Sequence, residues 1–301
     1  MLSGRVAAAL AQRRPVVALE STVFSRLGLP APHGAEARRR AYEAVQDGGA
    51  VPALTAVIDG ATRVGVEDHE IPRVLDADRK VGERDLPVAV AQRWPAAATT
   101  VSASLALAAA AGIAVFATGG IGGVHRDFAD SGDESADLGA LARHPVVAVC
   151  AGAKSFLDLP RTLERLETLG VPVIGLATDH GEFPAFWSRR SGLRVPHEVS
   201  KPEEAAAVVR AARELGWRSG ILVVTPVPEA DEVPFDELAP IIEAAIAEAA
   251  REQVAGGTVT PFVIERIAAA TGGRTVEANL ALVEHNAAVA ARIAVSLAGK
   301  S

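Results

Sequence analysis

The sequence predicts a single α/β domain spanning residues 1–301, with three α/β/α layers around a mostly parallel mixed sheet. Three observations predict it. Short apolar β-type runs alternate with Ala-rich helical segments along the chain. Aromatic residues make up 4% of the chain while 49% is apolar, so the core is built from small and branched aliphatics, as where helices pack on a sheet buried on both faces. Asp59-Gly60, set between Ala56-Val-Ile58 and Ala61-Thr-Arg-Val-Gly-Val66, is a hairpin turn signal that adds a local antiparallel pair.

The opening stretch, Met1 to Arg14, is helical and closed by Arg13 and Arg14 just before the β-like run Pro15–Leu19. It reads as the first helix of the fold rather than as a signal sequence. Strands are predicted at Val16–Leu19, Ala56–Ile58, Val88–Val90, Ile113–Ala117, Val146–Cys150, Val173–Leu176 and Ile221–Val224. Helical patterns lie near 35–48, 67–77, 101–111, 136–143, 158–169, 202–215, 234–251, 261–270 and 275–298. No linker, tandem repeat or low-complexity tract divides these elements. No run reaches the ~18 continuous apolar residues of a membrane span.

The net charge is −7 and no dense Lys/Arg tract is present, which argues against nucleic-acid or anionic-membrane partners. A small phosphorylated ligand held by a few local groups stays open. One cysteine, Cys150, permits neither an internal disulfide nor a cysteine metal cluster, and a reduced cytoplasm is the natural compartment.

The chain has four lysines among 30 Lys plus Arg. Lys201 and Lys300 suit ordinary solvated positions. Lys80 and Lys154 do not. Lys154 ends a nearly unbroken apolar run from His144 through Cys150. An ammonium at the end of a buried strand is costly unless paired, and its pKa tends to fall. A lysine so placed is a nucleophile toward carbonyl carbon. The other reading is a side chain snorkelling to water or to a carboxylate.

Ligands of parallel sheets gather at the carboxyl ends of the strands. Five predicted strands run straight into polar groups: Glu20-Ser21-Thr22, Thr118-Gly119-Gly120, Lys154, Thr178-Asp179 and Thr225-Pro226. Glu20 is a candidate general acid, since burial holds a carboxyl protonated near neutrality, and it equally suits pairing with a buried lysine. Thr118-Gly-Gly-Ile-Gly-Gly-Val-His-Arg126 has four glycines in five positions, either an anion-binding backbone or a flexible turn. It is neither a Walker loop nor a dinucleotide fingerprint. His125 and Arg126 at its end are phosphate candidates. The acidic stretch Asp127 to Asp137 either caps a helix through Ser135 or Asp133, or offers oxygen ligands to a hard cation.

These segments carry a resemblance. Ala18-Leu-Glu-Ser-Thr22, Ala56-Val-Ile-Asp-Gly60, Lys80-Val81 with Arg84-Asp-Leu-Pro87, Phe116 to Arg126, Ser135-Ala-Asp-Leu138, Val149-Cys-Ala-Gly-Ala-Lys-Ser155, Glu182-Phe-Pro-Ala-Phe186 and Glu277-Ala-Asn-Leu-Ala-Leu-Val283 resemble the pseudouridine-5'-phosphate glycosidase family, which includes the indigoidine synthase A-like proteins. The match runs from about residue 15 to 295. It implies cleavage of a C-glycosidic bond, a bond with no heteroatom leaving group for an ordinary carboxylate pair to protonate. By resemblance Glu20 protonates the ribose ring oxygen and Lys154 bonds to C1' of the opened sugar. Asp133 matches a divalent metal ligand, with Mn2+ expected. Lys80, Val101, Ser135, Ala136 and Asp137 match substrate contacts. Thr118, His125 and Asn279 are added to the sugar, phosphate or base pocket. The resemblance also implies an α/β/α subunit in a homotrimer acting on a sugar phosphate and a nucleobase.

Departures from the usual family pattern fall at Val81-Gly-Glu-Arg-Asp85, Ala97-Ala-Thr-Thr100, Asp127-Phe-Ala-Asp130, Glu134, Thr178-Asp-His-Gly-Glu182 and Thr225, and they bear on aglycone specificity. Two rival functions follow. One is a C-ribosyl synthase that runs the same chemistry backwards on another aglycone. The other is a non-catalytic sugar-phosphate binder, which would not need both Glu20 and Lys154.

Overall fold

The computed structural model describes residues 1–254 and 259–299; Lys300 lies outside the described residues. Among the described residues are ten strands, β1 (Val16–Leu19), β2 (Val51–Ile58), β3 (Ala61–Val64), β4 (Lys80–Val81), β5 (Ala96–Thr99), β6 (Val115–Ala117), β7 (Val147–Cys150), β8 (Val173–Leu176), β9 (His197–Val199) and β10 (Ile221–Val224). The α-helices are α1 (Gly4–Ala11), α2 (His33–Asp47), α3 (Ile71–Leu75), α4 (Leu86–Ala91), α5 (Val101–Ala110), α6 (Phe128–Ser131), α7 (Ala136–Arg143), α8 (Leu159–Thr168), α9 (Pro202–Glu214), α10 (Phe235–Arg251), α11 (Val259–Ala270) and α12 (Arg274–Ala298).

The strands form one mixed sheet in the order β4-β5-β2-β1-β6-β7-β10-β8-β9, with β3 paired to β2 off this path. Strands β2, β1, β6, β7, β10, β8 and β9 run parallel to their neighbours in that series. The long strand β2 changes partner halfway. Its first half, Val51–Leu54, pairs with β1, while Thr55–Ile58 pairs antiparallel with β3 and Ala56–Ile58 antiparallel with β5. The antiparallel β2–β3 pair is the hairpin that Asp59-Gly60 announces.

A buried hydroxyl cluster fills the junction where β2 changes partner. Thr55 Oγ1 donates to Leu19 O at 3.0 Å and lies 2.8 Å from Thr99 Oγ1. Ser21 Oγ accepts the Thr99 N–H at 2.8 Å. Buried hydroxyls must be hydrogen-bonded, and here that requirement pins the end of β1, hence the next residue, Glu20.

Every residue of β1, β2, β7, β8 and β10 is buried, as Val/Ala/Ile/Leu runs between two helical layers require. Helix α12 packs on β1, β6 and β7 between α2 and α9, while α5 covers β1, β2 and β6 and packs in turn on α7. By length and composition α12 is apolar enough to cross a membrane, but more than half of its apolar window is buried inside the fold. It is a core helix, and two buried asparagines, Asn279 and Asn286, interrupt its apolar face. At the other end of the chain, α1 is capped by Ser3, whose Oγ accepts the Val6 N–H, and buries Val6 and Ala9.

Three predictions are corrected. Val88–Val90 is not a strand but the middle of α4. Pro87 sits in its first turn, and the helix buries Ala89 beside Leu86 one turn away while Val88 and Val90 stay exposed. The strand predicted at Ala56–Ile58 begins five residues earlier, at Val51. Pro52 obscures that first half, because proline argues against a central strand. The run predicted to start at Ile113 enters the sheet only at Val115. Strands β4, β5 and β9 were unpredicted. They are short, Ala-rich or polar, with no alternation to read.

Candidate active site

The parallel strands bring Glu20, Thr118 and Lys154 to one edge of the sheet, from the ends of β1, β6 and β7. Glu20, Lys80, Lys154 and Asn279 line one cavity of about 80 Å³. Its wall also includes Thr22, Leu29, Gly119, Gly120, Phe186 and the α11 residues Thr260 and Ile264. Lys80 comes from the antiparallel half of the sheet, where β4 sets it opposite Ala98 of β5.

Glu20 is buried, and its Oε1 accepts the Thr118 hydroxyl. Burial pushes its pKa up to about 7. The Thr118 hydrogen bond and the Lys154 charge oppose that rise, Asp137 adds to it, and Lys80 weakly opposes it. A carboxyl at that value exchanges its proton near neutrality. Burial, then the charge of Lys154, lowers the pKa of Lys80, while Glu20 raises it. Among the described residues neither Lys80 nor Lys154 forms an ion pair with a carboxylate.

The backbone at Lys154 is fixed by the glycine-rich segment. Lys154 N–H donates to Ile121 O at 3.2 Å, and Ile121 N–H donates to Gly152 O at 3.0 Å. Gly119 and Gly120 line the cavity, and the glycines also permit close packing. A Cβ on Gly120 would meet the Phe186 ring at 2.6 Å, and one on Gly123 would meet Thr162 Cγ2 at 2.8 Å. The Gly122 N–H is already taken by Asp137 Oδ2 at 2.9 Å. Asp137 Oδ1 accepts the Ser102 N–H at 3.0 Å, so this buried carboxylate ties the first turn of α5 to the glycine-rich segment.

The remaining predicted residues are not among those lining the cavity. Val101 opens α5, whose N-cap residue Thr100 pairs its hydroxyl with Ser102 Oγ at 3.0 Å. Ser135 is the N-cap of α7, its Oγ accepting the Asp137 N–H, and Ala136 is the first helical residue. His125 Nε2 lies 3.9 Å from Asp133 Oδ2. Of the five strand-end groups, two stand apart from the cavity. Thr178 donates to Glu198 at 3.1 Å beside an Asp179–Arg189 ion pair, and Thr225 Oγ1 lies 3.1 Å from His285 Nε2.

Asp133 is half-exposed, and among the described residues no group of three or more His, Cys, Asp or Glu side chains could hold a metal ion. One carboxylate fits a hard divalent ion that keeps most of its water, and does not fit a protein cage.

Thr22 was among the strand-end candidates, but the sequence reading missed Leu29, Phe186, Thr260 and Ile264 of the cavity wall, and it missed Asn286. The Asn286 amide, fully buried, donates to Thr118 O at 2.8 Å and Gly119 O at 3.2 Å. Its signal was present: an Asn seven residues after Asn279, on the same apolar helix face.

The fold and cavity together define a class, α/β proteins whose strand-end site sets one buried carboxyl beside two lysines. The family model described as "Indigoidine synthase A like protein" matches residues 5–296, and the chain belongs to that family. A pseudouridine-5'-phosphate glycosidase of Methylobacterium nodulans is 50% identical over 296 residues, covering 98% of this chain and 87% of the relative. One of Caldanaerobacter subterraneus subsp. tengcongensis is 48% identical over 298 residues, covering 98% and 96%. Among solved structures, the prealnumycin C-glycosynthase AlnA in complex with ribulose 5-phosphate superposes with a TM-score of 0.90 at 35% identity, covering 99% of this chain and 96% of that one. An indigoidine synthase A-like protein of Thermotoga maritima gives a TM-score of 0.87 at 39% identity, covering 96% and 94%.

Proposed function

We propose that this chain reversibly cleaves the C-glycosidic bond of pseudouridine 5'-phosphate, giving uracil and ribose 5-phosphate. The relatives of 47–50% identity carry the name of that activity. The observation that carries the reading is the shared cavity of Glu20, poised to titrate near 7, and Lys154.

In this reading Glu20 gives its proton to the ribose ring oxygen. The Lys154 nitrogen takes C1' through its lone pair as the C1'–O4' bond breaks and the ring opens. One proton then leaves the new ammonium and C5 of uracil gains one. The nitrogen lone pair forms the C1'=N bond as the C1'–C5 bond breaks, which frees uracil. Water hydrolyses the imine, returning Lys154 and releasing ribose 5-phosphate. Lys80, Val101 and Ser135 to Asp137 hold the sugar phosphate, with Thr118 and His125 beside them. Asn279 faces the base. A divalent ion, expected to be manganese, would be held by Asp133 and would offset phosphate charge there. A homotrimer in the cytoplasm rests on the family resemblance and on a reduced, buried cysteine.

A second reading, synthesis of a C-riboside from ribose 5-phosphate and another aglycone, is favoured by the likeness to a C-glycosynthase. Aglycone range separates the two: uracil alone, or larger aromatic acceptors. The central test is mass spectrometry after incubation with ribose 5-phosphate and borohydride. A reduced pentose-phosphate adduct is expected on Lys154, and an adduct elsewhere or none at all defeats the mechanism.

A further inference from the structure

Asn279 is buried on α12 and borders the cavity of Glu20 and Lys154. Its Oδ1 accepts the indole N–H of Trp187 at 3.0 Å, across 92 residues of sequence. Trp187 is fully buried, and its ring centroid lies 4.9 Å from that of Phe186. Phe186 has φ of 60°, a strained conformation for a bulky residue, and its ring closes the cavity against Gly120. The Trp187 ring is thus packed in the core, beside the Phe186 ring at the cavity.

An indole N–H donates and cannot accept. Turning the Asn279 amide over would set its NH2 against that N–H, two donors facing each other in a buried place. The amide accordingly has one orientation, oxygen toward Trp187 and NH2 free for the cavity.

We propose that Trp187 is a positioning residue that fixes Asn279 as a hydrogen-bond donor, so that the cavity selects an aglycone presenting a carbonyl oxygen, and not an amine, to Asn279. The inference rests on the nucleobase reading above and adds the rule by which the base is chosen. A site built to hydrogen-bond one group rejects an analogue that leaves its buried partner unpaired far more strongly than a merely apolar pocket does.

The test measures calorimetric affinities of the full-length protein, with ribose 5-phosphate present, for uracil, cytosine and isocytosine. The last two each exchange one uracil carbonyl for an amine. The wild type should prefer uracil over at least one of them by about tenfold or more. Trp187→Phe keeps an aromatic ring but loses the N–H, and that preference should shrink to about threefold or less. Asn279→Asp, with Trp187 kept, turns an acceptor to the cavity and should reverse the preference. A tryptophan that only fills space would weaken all three bases alike, so an unchanged ratio in Trp187→Phe overturns the proposal. Should Trp187→Phe fail to fold, an unchanged ratio in Asn279→Asp does the same. No uracil binding by the wild type defeats the proposed function instead. The Trp187 assignment is then read from its indole N–H resonance, which must move upfield in Asn279→Ala and which overturns the assignment if it stays put.

Discussion

The Thr118 hydroxyl donates to Glu20 Oε1 across 98 residues of sequence, and both side chains are buried. The contact joins the ends of β6 and β1, adjacent parallel strands. It also sets the proton affinity of the carboxyl, because a donor on a carboxylate favours its charged form and opposes the effect of burial.

Removing that donor should raise the Glu20 pKa. If protonated Glu20 is the acid, kcat/KM of the wild type declines as pH rises through about 7. In Thr118→Val the declining limb should move to higher pH. A pH–rate profile checks this, and a limb that stays in place or moves down argues against Glu20 as the titrating acid.

The same shift has a stability sign. The folded pKa of Glu20, about 7, lies above its ordinary value of 4.5. Its favourable contribution is therefore complete below pH 4.5 and is lost as pH rises through about 7. Glu20→Gln carries no charge to bury. It should be more stable than the wild type at pH 8, by roughly 3 kcal/mol at most, with the gain vanishing toward pH 4.5. Urea melts of both proteins across that range measure it.

Lys154→Ala should abolish cleavage and keep the fold, with Tm close to that of the wild type. The Lys154 charge lowers the Glu20 pKa, so the variant should also hold Glu20 protonated to higher pH, readable by carboxyl NMR titration. Normal turnover by this variant removes the covalent route.

Asn286→Leu conserves volume but cannot donate. Gly119 O keeps the Ala151 N–H as partner, while Thr118 O loses its amide donor. The cost should be about 1–3 kcal/mol in a denaturant melt. Activity should fall further than stability alone explains, because Thr118 loses its anchor.

Chelation should lower activity if Asp133 holds the proposed ion, and added Mn2+ should restore it. Asp133→Ala should lose both the metal response and calorimetric Mn2+ binding. Binding retained by the variant would move the metal elsewhere.

The parallel half of the sheet was legible because β1, β7, β8 and β10 are continuous apolar runs that end in polar groups. The antiparallel half was not. Three alanines in β5 carry little strand preference, and Lys80-Val81 is too short for any pattern. Glu20 and Lys154 stood out because charges are rare at the ends of buried strands. Trp187 and Phe186 did not, since an aromatic pair in a loop reads as core until the distant Asn279 partner is known. The glycine-rich segment was legible as a constraint but not as to its kind. Its glycines yield space to Phe186, Ser135 and Thr162, side chains that no local pattern names.

Helix α12 follows every strand in chain order, and it carries both Asn279 and Asn286. A ribosome therefore makes Glu20 and both cavity lysines before the element that roofs β1, β6 and β7. Until that helix emerges and docks, the Thr118 carbonyl lacks its tether and the cavity lacks the Asn279 amide. A nascent chain so built carries Glu20 and Lys154 before their cavity has all its walls, which postpones completion of the cavity to a late moment in translation.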